Sequence, residues 1–233
     1  MTTSYKSKKL NLYAHSVALF FILLFLVFPV YAADWDSEIS AEVRGFLHDA
    51  SNIQQSRENL SFSFESEVYH DWDDDQQRFV FAPFVRWDKN DSERSHFDVR
   101  ELYWRRSFED QNLDLKIGLS KVFWGVTESV HLVDIINQTD GVENLDGEDK
   151  LGQPMINLTL DKEWGVLDLF VLPYFRERTF PSLAGRPGFP FAIDTDNPYF
   201  ASGAEEQHVD VAMRYSQVFG DWDMGVAHFS GTT

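Results

Sequence analysis

Charged side chains recur at alternate positions along this chain, and twelve of them fall on one set of faces. These are Glu65, Glu67, Asp98, Asp114, Asp161, Asp168 and Asp210 on the acidic side and Arg78, Arg86, Arg100, Lys116 and Arg214 on the basic side. A wall of mixed sign acts by electrostatics, biasing which charged or polar solutes approach and pass, with no bond made or broken. The same residues could instead pair with one another and fill a narrow interior as a salt-bridged plug.

Other chemistries have thinner support. His131 and Asp134 are close enough in sequence to form an acid–base pair, but the other histidines beyond residue 33, His48, His70, His96, His208 and His228, are scattered. No Gly-x-Ser-x-Gly, paired zinc-binding His or phosphate-cradling Gly loop accompanies them. No catalytic residue is therefore assigned, and a membrane-embedded hydrolase ranks last among the functions considered. Asp140, Glu143, Asp146, Glu148 and Asp149 make an oxygen-rich cluster that could hold Ca²⁺. Their spacing does not fit an EF-hand loop, so the expectation is a solvated acidic loop with no metal and no cofactor. Arg176, Glu177 and Arg178 stand at an expected strand exit, where an Arg fork could grip a carboxylate or phosphate or pair with nearby acids.

The elements that would position these charges are strands. In LSFSFESEVY, Leu60, Phe62, Phe64 and Val68 lie on one side of an extended chain and Ser61, Ser63, Glu65 and Glu67 on the other. Variants of this pattern predict about nine strands, near 39–48, 60–70, 78–87, 96–106, 113–123, 154–161, 166–176, 208–218 and 222–229. The connections 49–59, 88–95, 124–153 and 177–207 are longer than those between them, 71–77, 107–112, 162–165 and 219–221. In an antiparallel meander all the longer ones fall at one end, as in barrels with long extracellular loops and short periplasmic turns.

Apolar mid-strand residues such as Leu113, Leu115, Ile117, Leu119, Ile156, Leu158 and Leu160 are assigned to lipid. Trp72, Trp87, Trp104, Trp124, Trp164 and Trp222 lie near strand ends, where amphipathic rings form interfacial girdles. The fourth strand breaks the rule, because Phe97, Val99 and Tyr103 share a face with Glu101 and Arg105. Either Glu101 sits near an interface or a bulge reverses the faces. The connection 124–153 carries apolar patches at Val130, Leu132, Val133, Ile135 and Ile136, so it either folds inward and narrows the passage or packs over the mouth.

Residues 1–33 have the order of a secretory signal: Lys6, Lys8 and Lys9, the apolar run VALFFILLFLVFPV, then Ala32 and Ala33. Its removal takes three lysines from a chain of net charge −18, leaving −21 on 34–233, the expected barrel domain. So acidic a surface makes nucleic acid an unfavourable partner. The absence of cysteine excludes disulfides and Cys-based metal or redox sites. A periplasmic β-sandwich of the same length is the competing fold.

The segments KIGLSKVFWGVTES (116–129), DIINQTD (134–140), KLGQPM (150–155) and FRERTFP (175–181) resemble poorly characterised proteobacterial porin-like outer-membrane proteins, distantly like alginate-export-type channels. That resemblance implies outer-membrane location more than a particular solute. The combined expectation is an all-β, antiparallel up-and-down transmembrane β-barrel that passes polar solutes by diffusion. Its partners are outer-membrane lipid, lipopolysaccharide and the outer-membrane assembly machinery. A structural or adhesion barrel whose acidic loops bind lipopolysaccharide or divalent cations is the alternative. An odd strand count and an end at HFSGTT lead to the further expectation that the chain is an N-terminal portion of a longer barrel.

Overall fold

The computed structural model describes residues 33–124 and 134–232. Most of the expected export segment, together with His131, Val130, Leu132 and Val133, lies outside them. The protein is all-β: β1 (Asp34–Gly45), β2 (Glu58–Trp72), β3 (Gln77–Asp88), β4 (His96–Phe108), β5 (Leu113–Ser120), β6 (Gln153–Lys162), β7 (Gly165–Leu172), β8 (Asp210–Phe219) and β9 (Trp222–Ser230). All nine form one up-and-down antiparallel sheet in sequence order, so β1 and β9 are its edges.

Side chains directly opposite each other on antiparallel strands share a face, so the register sorts the chain into two surfaces. Phe62 pairs with Ala41 and Trp87, Phe64 with Ile39 and Val85, and Val68 with Trp35 and Phe81. The same face continues through Leu102–Leu119, Trp104–Ile117, Leu115–Leu158, Leu158–Leu169 and Leu169–Met213 to Tyr215–Val226. It is apolar, yet Phe62, Phe64, Val85, Ile117, Leu169, Met213 and Val226 are all exposed.

The fourth strand keeps to this pattern because the register between β3 and β4 shifts at Ala82/Pro83. Pro83 faces Val99 and Ala82 faces Glu101, which leaves Arg100 as the extra residue of a bulge. Pro83 has no N–H to give the ladder, and a bulge is where a strand tolerates that loss. Beyond the bulge Glu101, Tyr103 and Arg105 fall on the polar face, and Leu102 and Trp104 return to the apolar one.

Loops 46–57, 89–95, 121–152 and 173–209 leave one end of the sheet, while turns 73–76, 109–112, 163–164 and 220–221 close the other. β7 stops at Leu172, earlier than its alternation predicts, because Pro173 cannot extend a ladder. Arg176 and Arg178 consequently belong to a loop, not to a strand exit.

Candidate functional site

The register puts the expected wall on one face. Glu65 opposes Phe84, Arg86 opposes His96, Phe84 opposes Asp98, and Asp36 opposes Glu67. Farther along, Arg105 opposes Lys116, Asp114 opposes Thr159, Asp161 opposes Val166, Asp168 opposes Arg214 and Leu172 opposes Asp210. Arg78 lies across from Asp71 and Arg105. The twelve residues do not form one cluster. Arg86, Asp98 and Arg100 gather with loop residues at the loop end. Arg78 and Lys116 lie toward the turns, and Asp210 is held locally by His208 and by the Thr232 amide at 2.8 Å.

The loop-end cluster is dense. Arg86 bonds the Glu143 carboxylate at 2.6 Å and the Ser61 hydroxyl at 3.2 Å. Arg94 donates to Asp88 at 2.9 Å, to Ser61 at 3.1 Å, and through Nε to the Val142 carbonyl at 3.0 Å. Burial opposes charge on Arg94, but the hydrogen bond to Asp88 and the nearby Glu42 and Glu143 outweigh it. The guanidinium therefore holds its proton above the ordinary arginine value. Arg100, freed from the ladder by the bulge, bonds Asp140 and reaches Asp98 at 3.2 Å. Asp98 also receives Arg176, and Thr179 donates to Asp140. Asp140 is completely buried.

These contacts bring loop 121–152 and loop 173–209 down onto β3 and β4, the two loops meeting each other through an isolated parallel bridge, Asp140 to Thr179. The acidic residues of the first loop therefore divide. Asp140 and Glu143, expected in a solvated loop, are instead turned into the wall. Asp149 accepts from the Asn144 amide at 2.9 Å, and Asp146 accepts the Glu148 amide at 3.0 Å. Among the described residues no three such groups are arranged to hold a metal ion.

The DIINQTD run explains how the loop keeps its shape. Asn137 accepts the Val122 amide at 2.8 Å and donates to the Ser120 and Leu151 carbonyls, each at 2.9 Å, which joins the two stems of the loop. Asp134 receives the Trp124 amide, and Gln138 accepts from Arg178 at 2.9 Å.

Trp124 is not an outward girdle residue, as its place near a strand end implies. It is buried against Phe170, ring centroids 5.5 Å apart, in a cluster with Ile136, Met155, Leu172 and Ala212. That cluster occupies the polar face of β6, β7 and β8, where the sequence has Phe170, Leu172 and Ala212 among charges. Loop 121–152 thus has an ionic anchor on β3 and β4 and an apolar anchor on β6 to β8.

Several functional-site candidates escaped the sequence reading. Glu42 and Asp88 are on the polar face by simple alternation and could have been counted. Arg94 lies in a short polar loop with no signal to mark it. Glu101 and Arg105 were hidden by the bulge.

No protein-family model matches the chain, and no curated protein matches it. Among solved structures the chain is similar to Pseudomonas putida OprB, in a structure described as its high-pH form. The identity is 13%, the TM-score 0.46, and the match covers 84% of this chain and 50% of that one, so this chain spans about half the length of the structure it matches.

Proposed function

We propose that the chain forms the wall of an outer-membrane channel that lets polar solutes diffuse past a charged face, narrowed by loop 121–152. One observation carries the reading: the molecule has its polarity reversed relative to a soluble protein. The large apolar side chains Phe64, Val85, Ile117, Leu169, Met213 and Val226 are exposed on the open face, while Asp140, Glu143, Arg94 and Arg100 are buried on the other. Soluble monomers rarely expose contiguous apolar surface of more than a few hundred Å². Lipid is the solvent that makes such a face favourable.

Aromatic placement supports the same reading. Trp35, Trp72, Trp104, Trp164 and Trp222 lie toward the turn end. Trp87 stacks on Phe62 at the loop end, centroids 6.0 Å apart, with Phe97 nearby. Aliphatic residues predominate in the band between, where Phe64 and Phe81 are also found, in keeping with two headgroup levels and a hydrocarbon interior.

The test is recovery from the outer-membrane fraction with heat-modifiable gel migration, followed by conductance in planar bilayers. Discrete ion-conducting steps are expected. A folded membrane-inserted protein that gives none refutes the channel; a soluble periplasmic protein refutes the membrane wall altogether.

A further inference from the structure

We propose that Arg105 and Lys116, beside Arg78, form a binding step for an oxyanion, the phosphate or carboxylate group of a solute, at the turn-side end of the polar face. Arg78 pairs with Arg105 and Arg105 with Lys116, so three cations stand directly opposite one another across β3, β4 and β5. Like charges in opposed positions of a sheet destabilise it. A wall built only for stability would set an acid between them.

The neighbouring acids act from a distance, Asp71 on Arg105 and Glu101, Asp114 and Asp168 on Lys116, and among the described residues none forms an ion pair with either cation. Asp71 gives both carboxylate oxygens to Arg78, each contact 2.6 Å. Glu101 accepts from the Ser120 hydroxyl at 3.1 Å and the Lys121 amide at 3.2 Å. Asp114 lies across from Ser107 and Thr159, displaced along the strand from Lys116. Among the described residues Arg105 has no hydrogen bond or ion pair, and its Nε is buried without a partner. The Lys116 ammonium rests 4.8 Å from the Tyr103 ring centre, also without a carboxylate partner.

An oxyanion supplies what the row lacks. Arg offers a planar fork that matches two oxygens of a carboxylate or phosphate, and Lys a point charge beside it. A buried unpaired donor is costly, and a bound oxygen removes that cost. The presence of a solute in this bore rests on the channel reading; the binding test does not.

The full-length protein, folded in uncharged maltoside micelles, is titrated calorimetrically with inorganic phosphate. Saturable binding is expected, weakened about tenfold or more in R105Q/K116Q and unchanged in K89Q, which alters an exposed loop cation. Heat that never saturates, or equal affinity in R105Q/K116Q, overturns the proposal. If the double variant does not fold, R105K decides: it keeps the charge but loses the fork, and unchanged phosphate affinity overturns the site. Saturation by a short-chain phosphatidic acid with no response to free phosphate assigns the oxyanion to a lipid headgroup and overturns the solute. A protein that binds phosphate but never conducts overturns the channel and leaves the site; one that conducts without binding overturns the site alone.

Discussion

Replacing Arg100 with Met tests how loop 121–152 is held. Arg100 bonds Asp140, and the two side chains are 7% and 0% exposed, so solvent cannot take over either charge. In the variant Asp140 keeps only the Thr179 hydroxyl, while Asp98 still has Arg176. Breaking a buried pair from one side costs about 3–5 kcal/mol, because a desolvated charge is left behind. D140A is milder, since Arg100 retains Asp98 at 3.2 Å and the loss is the hydrogen bonds that Arg100 and Thr179 give Asp140, of which the charged one is worth about 1.5–3 kcal/mol. The energy falls on loop docking, not on the sheet ladder. Trypsin can read it at Lys150: the next residue, Leu151, is buried, and its amide bonds the Gln138 carbonyl at 2.9 Å, so cleavage requires the loop to lift. When opening is fast relative to cleavage, the rate follows the open population. R100M should be cut on the order of 100- to 1,000-fold faster than the wild type and D140A roughly 10- to 100-fold faster. R100M/D140A should be cut more slowly than R100M alone, because the orphaned carboxylate is gone. A double variant cut as fast as R100M would refute the account, as would an unchanged R100M.

Two other perturbations address the sheet and its solvent. Ile117 is 40% exposed in the middle of β5 on the apolar face, and I117R should cost about 2–4 kcal/mol if that face meets lipid at mid-depth. In water the same change at an exposed site would fall within roughly 0.5 kcal/mol. T159R, on the opposite face between Asp114 and Asp168, should be tolerated. The folded, heat-modifiable fraction in lipid vesicles separates the two, and equal yields would argue against a lipid-facing surface. Gly118, at φ 140°, has no room for a methyl group: a Cβ there would lie 2.2 Å from the Leu102 carbonyl oxygen and 2.7 Å from the Tyr103 Cα. Both are backbone atoms, so G118A must displace β4 from β5, at about 1–3 kcal/mol. A melting temperature equal to that of the wild type would contradict this geometry.

Much of the sheet was legible because a half-solvated strand writes its period into the sequence, as LSFSFESEVY does for β2. The bulge at Arg100 was less so, since the extra residue is defined only by where the partner strand resumes pairing. Sequence alone left a choice for Glu101 between an interfacial position and a bulge, and the register at Ala82/Pro83 makes it the bulge. The early end of β7 was available in principle from Pro173, which outweighs the alternation continuing past it. Trp124 was misassigned because a Trp at a strand end reads the same whether it faces outward or turns in against Phe170. The pairing of Asp140 with Arg100 and of Glu143 with Arg86 had no local signal at all. Those partners are distant in sequence and meet only once the loop has folded back.

The two anchors of loop 121–152 differ in kind, and on the channel reading this determines what the wall presents to a solute. At the loop end, Arg86, Arg94 and Arg100 are already engaged by Glu143, Val142 and Asp140, so their charge is largely spent on structure. The apolar part of that same face, around Phe170 and Leu172, is covered by Trp124 and Ile136. Toward the turn end, Arg105 and Lys116 form no ion pair with a carboxylate among the described residues, and Lys116 rests instead on the Tyr103 ring. On the channel reading, a solute entering from the loop side meets a narrowed passage with its charges internally paired before it meets free cations. Size is then sorted first and charge second, and a substitution at Arg100 should alter the first selection while leaving the phosphate affinity of the second unchanged.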